Sequence, residues 1–144
     1  MEISLKQLHP DAVLPSFAHP GDAGADLVAV DEVVLNAAGG RGFVPTGFAI
    51  AIPEGFGGFV LPRSGLASRH GVTCVNAPGL IDAGYRGEVK VALVNHDPEH
   101  EYIVKPGDRV AQLVILPVPA ISFISVDELP SSQRDSGGFG SSGR

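Results

Sequence analysis

Thiol chemistry is nearly missing from this 144-residue chain, whose one cysteine is Cys74. That excludes an internal disulfide and any cysteine-rich zinc site, fits a reducing compartment and argues against a redox role. Long apolar runs are missing too. None approaches the roughly 18 residues that a membrane span needs, and the start, Met1-Glu2-Ile3-Ser4-Leu5-Lys6, lacks the basic-then-apolar shape of a signal peptide. These absences predict a soluble, cytoplasmic protein. Positive charge is scarce, with 10 Lys and Arg against 16 Asp and Glu and a net charge of −6. Such a balance disfavours a broad basic surface for nucleic acid and leaves no membrane-binding stripe. The common nucleotide and nucleophile signatures, GxxxxGK[ST], GxSxG and GxGxxG after a strand, are absent as well.

What is present is apolar content and turn chemistry. Val, Leu, Ile and Phe make up about 31% of the chain, well above the roughly 20% below which a core fails. The 19 Gly and 12 Pro together reach about 22%, against an average nearer 12%. One compact domain rich in turns follows. Segments 3–8, 27–30, 33–35, 43–52, 57–61, 72–75, 88–95, 109–116 and 121–126 are short, rich in Val, Ile and Phe, and punctuated by Gly, Pro, Asn or Asp, so they read as strands. In Glu88-Val89-Lys90-Val91-Ala92-Leu93 the alternation sets Val89, Val91 and Leu93 on one face and Glu88 and Lys90 on the other, the pattern of a half-buried strand. Residues 25–38 lack Gly and Pro and are long enough for a helix, but Val28, Val30, Val33 and Val34 favour the extended state. Only Ser64–His70 reads as a brief helix, with Ser64 as N-cap and Gly71 as the closing glycine. An all-β sandwich or barrel is the predicted fold class.

Candidate chemistry sits in the turns. Seven of the ten cations are Arg, and Arg63, Arg86, Arg109 and Arg134 each lie within three residues of a glycine. Guanidinium forks match phosphate oxygens bidentately, and glycine lets backbone N–H groups approach the same anion. Surface salt bridges are the plainer use of such arginines. His96 and His100, with Glu99 and Glu101 nearby, have the spacing of a metal pair on a helix, but Pro98 forbids that helix and leaves loop histidines. Asn76 to Glu88 is a turn cluster in which Asp82 follows an apolar pair and precedes Ala-Gly, so its carboxylate can face a cleft and orient a water. Tyr85, one of two tyrosines, is either core or a flat wall against a sugar. From about Pro130 the chain turns to Ser, Gly and Gln, a composition that buries no core and reads as a flexible terminus, except that Phe139 offers a stacking surface among those small residues. No internal repeat and no linker within 1–129 support a second domain.

Five segments in order carry a family likeness. Ala23-Gly24-Ala25-Asp26-Leu27, Pro62-Arg63-Ser64-Gly65-Leu66-Ala67, Asn76 to Glu88, Gly107-Asp108-Arg109-Val110-Ala111-Gln112-Leu113 and Arg134 to Gly143 resemble the five motifs of the trimeric dUTPases, over positions 23 to 143. The resemblance implies a jelly-roll (β-clip) all-β domain over 1–129 with one short helix, a C-terminal arm over 130–144 that closes a neighbour's site, and a homotrimer with sites shared between subunits. It implies hydrolysis of dUTP to dUMP and pyrophosphate, which limits uracil incorporation into DNA and supplies dUMP for dTMP synthesis. Mg²⁺ is implied as the cofactor, held mainly by substrate phosphates and water, in keeping with the preference of a hard ion for phosphate oxygens.

Roles carry over by similarity. Asp82 would hold the attacking water and contact the sugar 3′-hydroxyl, and Tyr85 would pack beneath the deoxyribose and leave no room for a 2′-hydroxyl. Asn76 and the backbone from Gly79 to Lys90 would pair with the uracil edge. Arg63, Ser64, Gly65 and Gln112 resemble phosphate-binding residues, and Asp26 a structural or indirect metal contact. Arg134, Phe139, Ser141 and Ser142 would cover the γ-phosphate and stack on uracil. Where the family commonly has Gly after the tail arginine, this chain has Asp135, which restricts the backbone and adds negative charge. A dCTP deaminase shares the implied fold, but Ile81-Asp82-Ala83-Gly84-Tyr85 matches the hydrolase. A catalytically silent binding trimer is the reading from another class, and intact Asp82, Tyr85 and tail argue against it.

Overall fold

The structure is a computed structural model, and it describes residues 1–132. Ten strands and one short helix follow in the order β1 (Ser4–Gln7), β2 (Ala25–Val28), β3 (Val33–Leu35), β4 (Arg41–Ala51), β5 (Phe56–Pro62), α1 (Ser64–His70), β6 (Val72–Cys74), β7 (Gly79–Ile81), β8 (Glu88–Asn95), β9 (Tyr102–Val104) and β10 (Arg109–Pro117). They form two four-stranded sheets, β1-β4-β8-β6 and β2-β10-β5-β7, and a small β3-β9 sheet, and every pairing is antiparallel. The all-β class expected from the sequence is what the chain adopts.

One apolar cluster draws on both large sheets. Phe48 and Ile50 of β4 and Val89, Val91 and Leu93 of β8 meet Leu27 of β2, Val60 of β5 and Ala111 and Leu113 of β10. The alternation in β8 is realised as read: Val89, Val91 and Leu93 are buried while Lys90 is exposed. Burial also pushes the Cys74 thiol up to about 11, so at neutral pH it is an inert apolar side chain.

Three details differ from expectation. β7 and β9 are additional strands of three residues each; so short a run carries no readable alternation, and its extended state comes from distant partners, β5 for β7 and β3 for β9. The strand expected over 121–126 does not form within the chain. Its residues have strand propensity but no ladder partner among the described residues, and Ile121, Phe123 and Ile124 stand exposed, Phe123 by 93%. The helix occupies the residues expected, yet Arg63, extended at φ −90° and ψ 127°, takes the N-cap position and makes no side-chain cap, with Ser64 already helical. Gly71 closes the helix at φ 63°, a left-handed conformation that glycine adopts without a Cβ penalty.

Asn95, fully buried at the end of β8, ties the small sheet to the large one. Its Nδ2 donates to the Leu35 carbonyl at 3.1 Å and the His100 carbonyl at 2.8 Å, and its Oδ1 accepts the Asp97 N–H at 2.9 Å. Asn95→Ala orphans three buried or half-buried backbone groups, and we expect it to cost about 3 kcal/mol in urea unfolding. A loss under about 1 kcal/mol would show that the loop relaxes to satisfy them.

Candidate active site

The Asn76–Glu88 segment leaves β6, forms β7 and turns back into β8. The Ala77–Pro78 peptide within it is cis. Beyond β7 a tight turn closes with the Tyr85 N–H donating to the Asp82 carbonyl at 3.0 Å. Arg86 folds over this turn, its Nη1 donating to the Ala83 carbonyl at 2.6 Å and the Tyr85 carbonyl at 2.7 Å. Arg86 Nη1 thus caps its own turn, the plainer of the two uses open to a glycine-flanked arginine. The Tyr85 hydroxyl donates to the Glu88 carbonyl at 2.9 Å, so the phenol oxygen is also held by the turn. Gly87 permits this arrangement: a Cβ there would lie 2.5 Å from the Tyr85 hydroxyl.

The turn borders a cavity of about 500 Å³. Asn76, Gly79, Asp82, Tyr85 and Lys90, five residues singled out from the sequence, line it together. Tyr85 is 45% exposed, so it lines the cavity and is not a core residue. Sequence reading missed Phe43 and Glu88 in the same lining. Phe43 belongs to β4, opposite Ala92 in the β4–β8 ladder, and its exposure at 73% is the signal that it is not a core residue.

None of Arg63, Ser64, Gly65 or Gln112 lines that cavity. Arg63 and Gln112 stand beside Asp26, and Ser64 and Gly65 follow Arg63 at the start of α1. Gln112 of β10 stands opposite Asp26 of β2 in the ladder, with its side chain lying over Gly24. The Asp26 carboxylate, nearly buried, faces Arg63 Nε at 3.3 Å through Oδ1 and accepts Arg109 Nη1 at 3.1 Å through Oδ2. Arg63 Nη1 in turn donates to the Arg109 carbonyl at 3.1 Å. The Arg63–Asp26 contact is an ion pair without hydrogen-bond alignment, so Asp26 Oδ1 has no hydrogen-bond partner among the described residues. The salt-bridge alternative for the glycine-flanked arginines thus describes Arg63 and Arg109, with one carboxylate serving both.

The loop histidines are as the proline dictates. His100 Nδ1 meets Asp97 Oδ1 at 3.2 Å, and backbone N–H groups of Glu99 and His100 hold the Asp97 carboxyl below the usual carboxylate range. Among the described residues no group of three or more His, Cys, Asp or Glu is arranged to hold a metal. Arg134, Asp135, Phe139, Ser141 and Ser142 lie outside the described residues. No helix among the described residues is long and apolar enough to cross a membrane.

A family model for dUTPase matches residues 11–143. The chain belongs to the dUTPase family. A deoxyuridine 5′-triphosphate nucleotidohydrolase of Thermobifida fusca is 57% identical over 143 residues, covering 99% of this chain and 79% of the relative. One from Gloeobacter violaceus is 53% identical, covering 99% of this chain and 97% of its own length. Among solved structures, a Staphylococcus bacteriophage 80alpha dUTPase mutant with dUpNHpp superposes at a TM-score of 0.90 with 30% identity and 99% of each chain covered. A dUTPase from phage phi11 of S. aureus, described with a structural Mg(II) ion, superposes at 0.84 with 27% identity, covering 91% of this chain and 100% of its own.

Within this dUTPase-family fold the Asp26 centre makes its own prediction. Asp26→Asn keeps the volume but leaves two guanidinium groups facing one another. We expect a stability loss of about 3 kcal/mol in urea, the low end for breaking a buried ion pair, because the Arg109 side chain stays 53% exposed. An unchanged midpoint would mean that solvent already neutralises the pair.

Proposed function

We propose that the chain hydrolyses dUTP to dUMP and pyrophosphate, and that the observation carrying this reading is the placement of Asp82 and Tyr85 on one tied-down turn at the mouth of the Asn76–Gly79 cavity. Asp82 presents a carboxylate that orients water and accepts its proton as the oxygen attacks the α-phosphate. The bond to the bridging oxygen breaks and pyrophosphate leaves. Tyr85, its hydroxyl engaged by Glu88, offers its ring as the sugar's floor, where an added 2′-hydroxyl has no partner. Asn76 and the backbone from Gly79 to Lys90 take the uracil edge, and a cytosine or thymine leaves buried polar groups unpaired or overfills the slot.

Arg63, Ser64, Gly65 and Gln112 take the phosphate chain. Guanidinium and backbone N–H donors spread its charge, which is the main demand of phosphoryl transfer. Mg²⁺ fits as an ion delivered on the substrate, since it is satisfied by phosphate oxygens and water. Asp26 Oδ1, which lacks an aligned hydrogen bond, is the atom suited to a metal-bound water. When bound, the ion neutralises phosphate charge.

The base-and-sugar group and the phosphate group occupy separate places on one chain, which supports a homotrimer whose sites each combine residues from different copies. Exposed Phe123, Ile124 and Leu129 support the same reading, since a run of uncovered apolar side chains needs a partner surface. Residues 1–129 then form the domain and 130–144 the arm that brings Arg134, Phe139, Ser141 and Ser142 over a neighbour's nucleotide. The setting is the cytoplasm, in keeping with the inert thiol.

The test is pyrophosphate release from dUTP, dCTP, dTTP and UTP with Mg²⁺ at equal low concentration. Release from dUTP alone is expected, and ammonia release from dCTP would move the chain to the deaminases. Asp82→Asn should retain binding of dUTP while turnover falls by about 10²–10⁴, the usual worth of a positioned base. Unchanged turnover in that variant would remove Asp82 from its role.

A further inference from the structure

The β4–β8 ladder breaks at one place, between Pro45↔Lys90 and Ala49↔Glu88. Pro45 has no N–H, and Gly47 sits at φ +73°, so the two strands cannot continue their regular exchange of hydrogen bonds across this bulge. Side chains take over. Thr46 Oγ1 donates to the Val89 carbonyl at 2.6 Å, and the Gly47 N–H donates to Glu88 Oε1 at 3.0 Å. The Gly47 carbonyl accepts both the Leu8 and His9 N–H groups at 2.8 and 3.0 Å, which fixes the bulge from its other side.

Glu88 is therefore held at both ends. Its side chain grips the bulge, and its main-chain carbonyl receives the Tyr85 hydroxyl. Its second carboxylate oxygen lies 3.3 Å from Lys90 Nζ, so the negative charge at the cavity edge is neutralised where an anionic substrate would otherwise be repelled. Both carboxylate oxygens are thus engaged by the scaffold, Oε1 by the Gly47 N–H and Oε2 by Lys90.

We propose that Glu88 is a positioning residue for the reaction, its carboxylate bridging the Gly47 N–H of the β4 bulge to the strand start that carries the Asp82–Tyr85 turn. This rests on the reading of Asp82 and Tyr85 given above. Losing the bridge frees the turn to drift by a fraction of an ångström, and misplacement of that size acts on the chemical step more than on nucleotide binding. The acceptor atom matters here, and the charge does not.

Two conservative variants separate reach from charge. Glu88→Gln keeps an oxygen at the same distance and loses the charge; Glu88→Asp keeps the charge but is one methylene too short to reach Gly47. In steady-state assays with Mg²⁺ and dUTP, Glu88→Asp should lower kcat about 30-fold with KM within about threefold, within the roughly hundredfold that a misplaced group can cost. Glu88→Gln should keep kcat within about threefold of wild type. Amide exchange at Gly47 should accelerate at least about tenfold in Glu88→Asp and stay near wild type in Glu88→Gln. Equal kcat loss in both variants, or loss in Glu88→Gln alone, would make the charge the active feature and overturn the proposal. So would a kcat in Glu88→Asp that matches wild type. A wild-type chain that hydrolyses no nucleotide would instead overturn the functional reading, and this role with it, while the Gly47 exchange still reports whether the bridge exists.

Discussion

β4 pairs with β8 from Arg41↔Val94 to Pro45↔Lys90 and again at Ala49↔Glu88, and this pairing bears on more of the molecule than any other contact in it. β4 also pairs with β1, and β8 with β6, so the first large sheet is built outward from this ladder. Its apolar face supplies Phe48, Ile50, Val89, Val91 and Leu93 to the core. Its opposite face sets Phe43 and Lys90 at the edge of the cavity. The bulge at Gly47 is where the two duties meet, since a continuous ladder would leave Glu88 no backbone N–H to grip and the Tyr85 hydroxyl an unanchored acceptor.

The second sheet solves a different problem. A chain with a net charge of −6 repels a nucleoside triphosphate at long range, so attraction has to be local. Asp26 holds Arg63 and Arg109 within a few ångströms of each other, and the pairing limits the repulsion that two such cations would otherwise feel. The cost is that Arg63 and Arg109 sit on the β2–β10–β5 side while Asp82 sits on the turn between β7 and β8. In the proposed homotrimer a symmetric assembly would resolve this separation at no cost in new sequence, because every interface would contribute both halves.

What the sequence revealed and what it hid have physical causes. β8 was legible because its buried face lies within the chain, so alternation and burial coincide. β7 and β9 were not, because three residues carry no period and their extended state is imposed by strands far away in sequence. Residues 121–126 have strand-like composition but no ladder partner among the described residues, so propensity alone overstated them. In the site, Asn76, Gly79, Asp82 and Tyr85 were legible because they are near neighbours in one motif. Glu88 and Phe43 were hidden because their roles depend on the pairing of β4 with β8, and the Glu88–Gly47 bond spans 41 residues. Arg86 stayed ambiguous because a glycine-flanked arginine looks the same whether it waits for an anion or caps its own turn.

The central claim is that one active site takes Asp82 from one copy and Arg63 from another, and complementation tests it most directly. Asp82→Asn chains and Arg63→Gln chains, each nearly inactive alone, are co-expressed in equal amounts and the mixed trimers assayed for dUTP hydrolysis. A site split between cyclically related copies predicts that about a quarter of sites regain both groups, with activity to match. Mixed trimers no more active than either parent would place both residues in the site of a single chain and contradict the account.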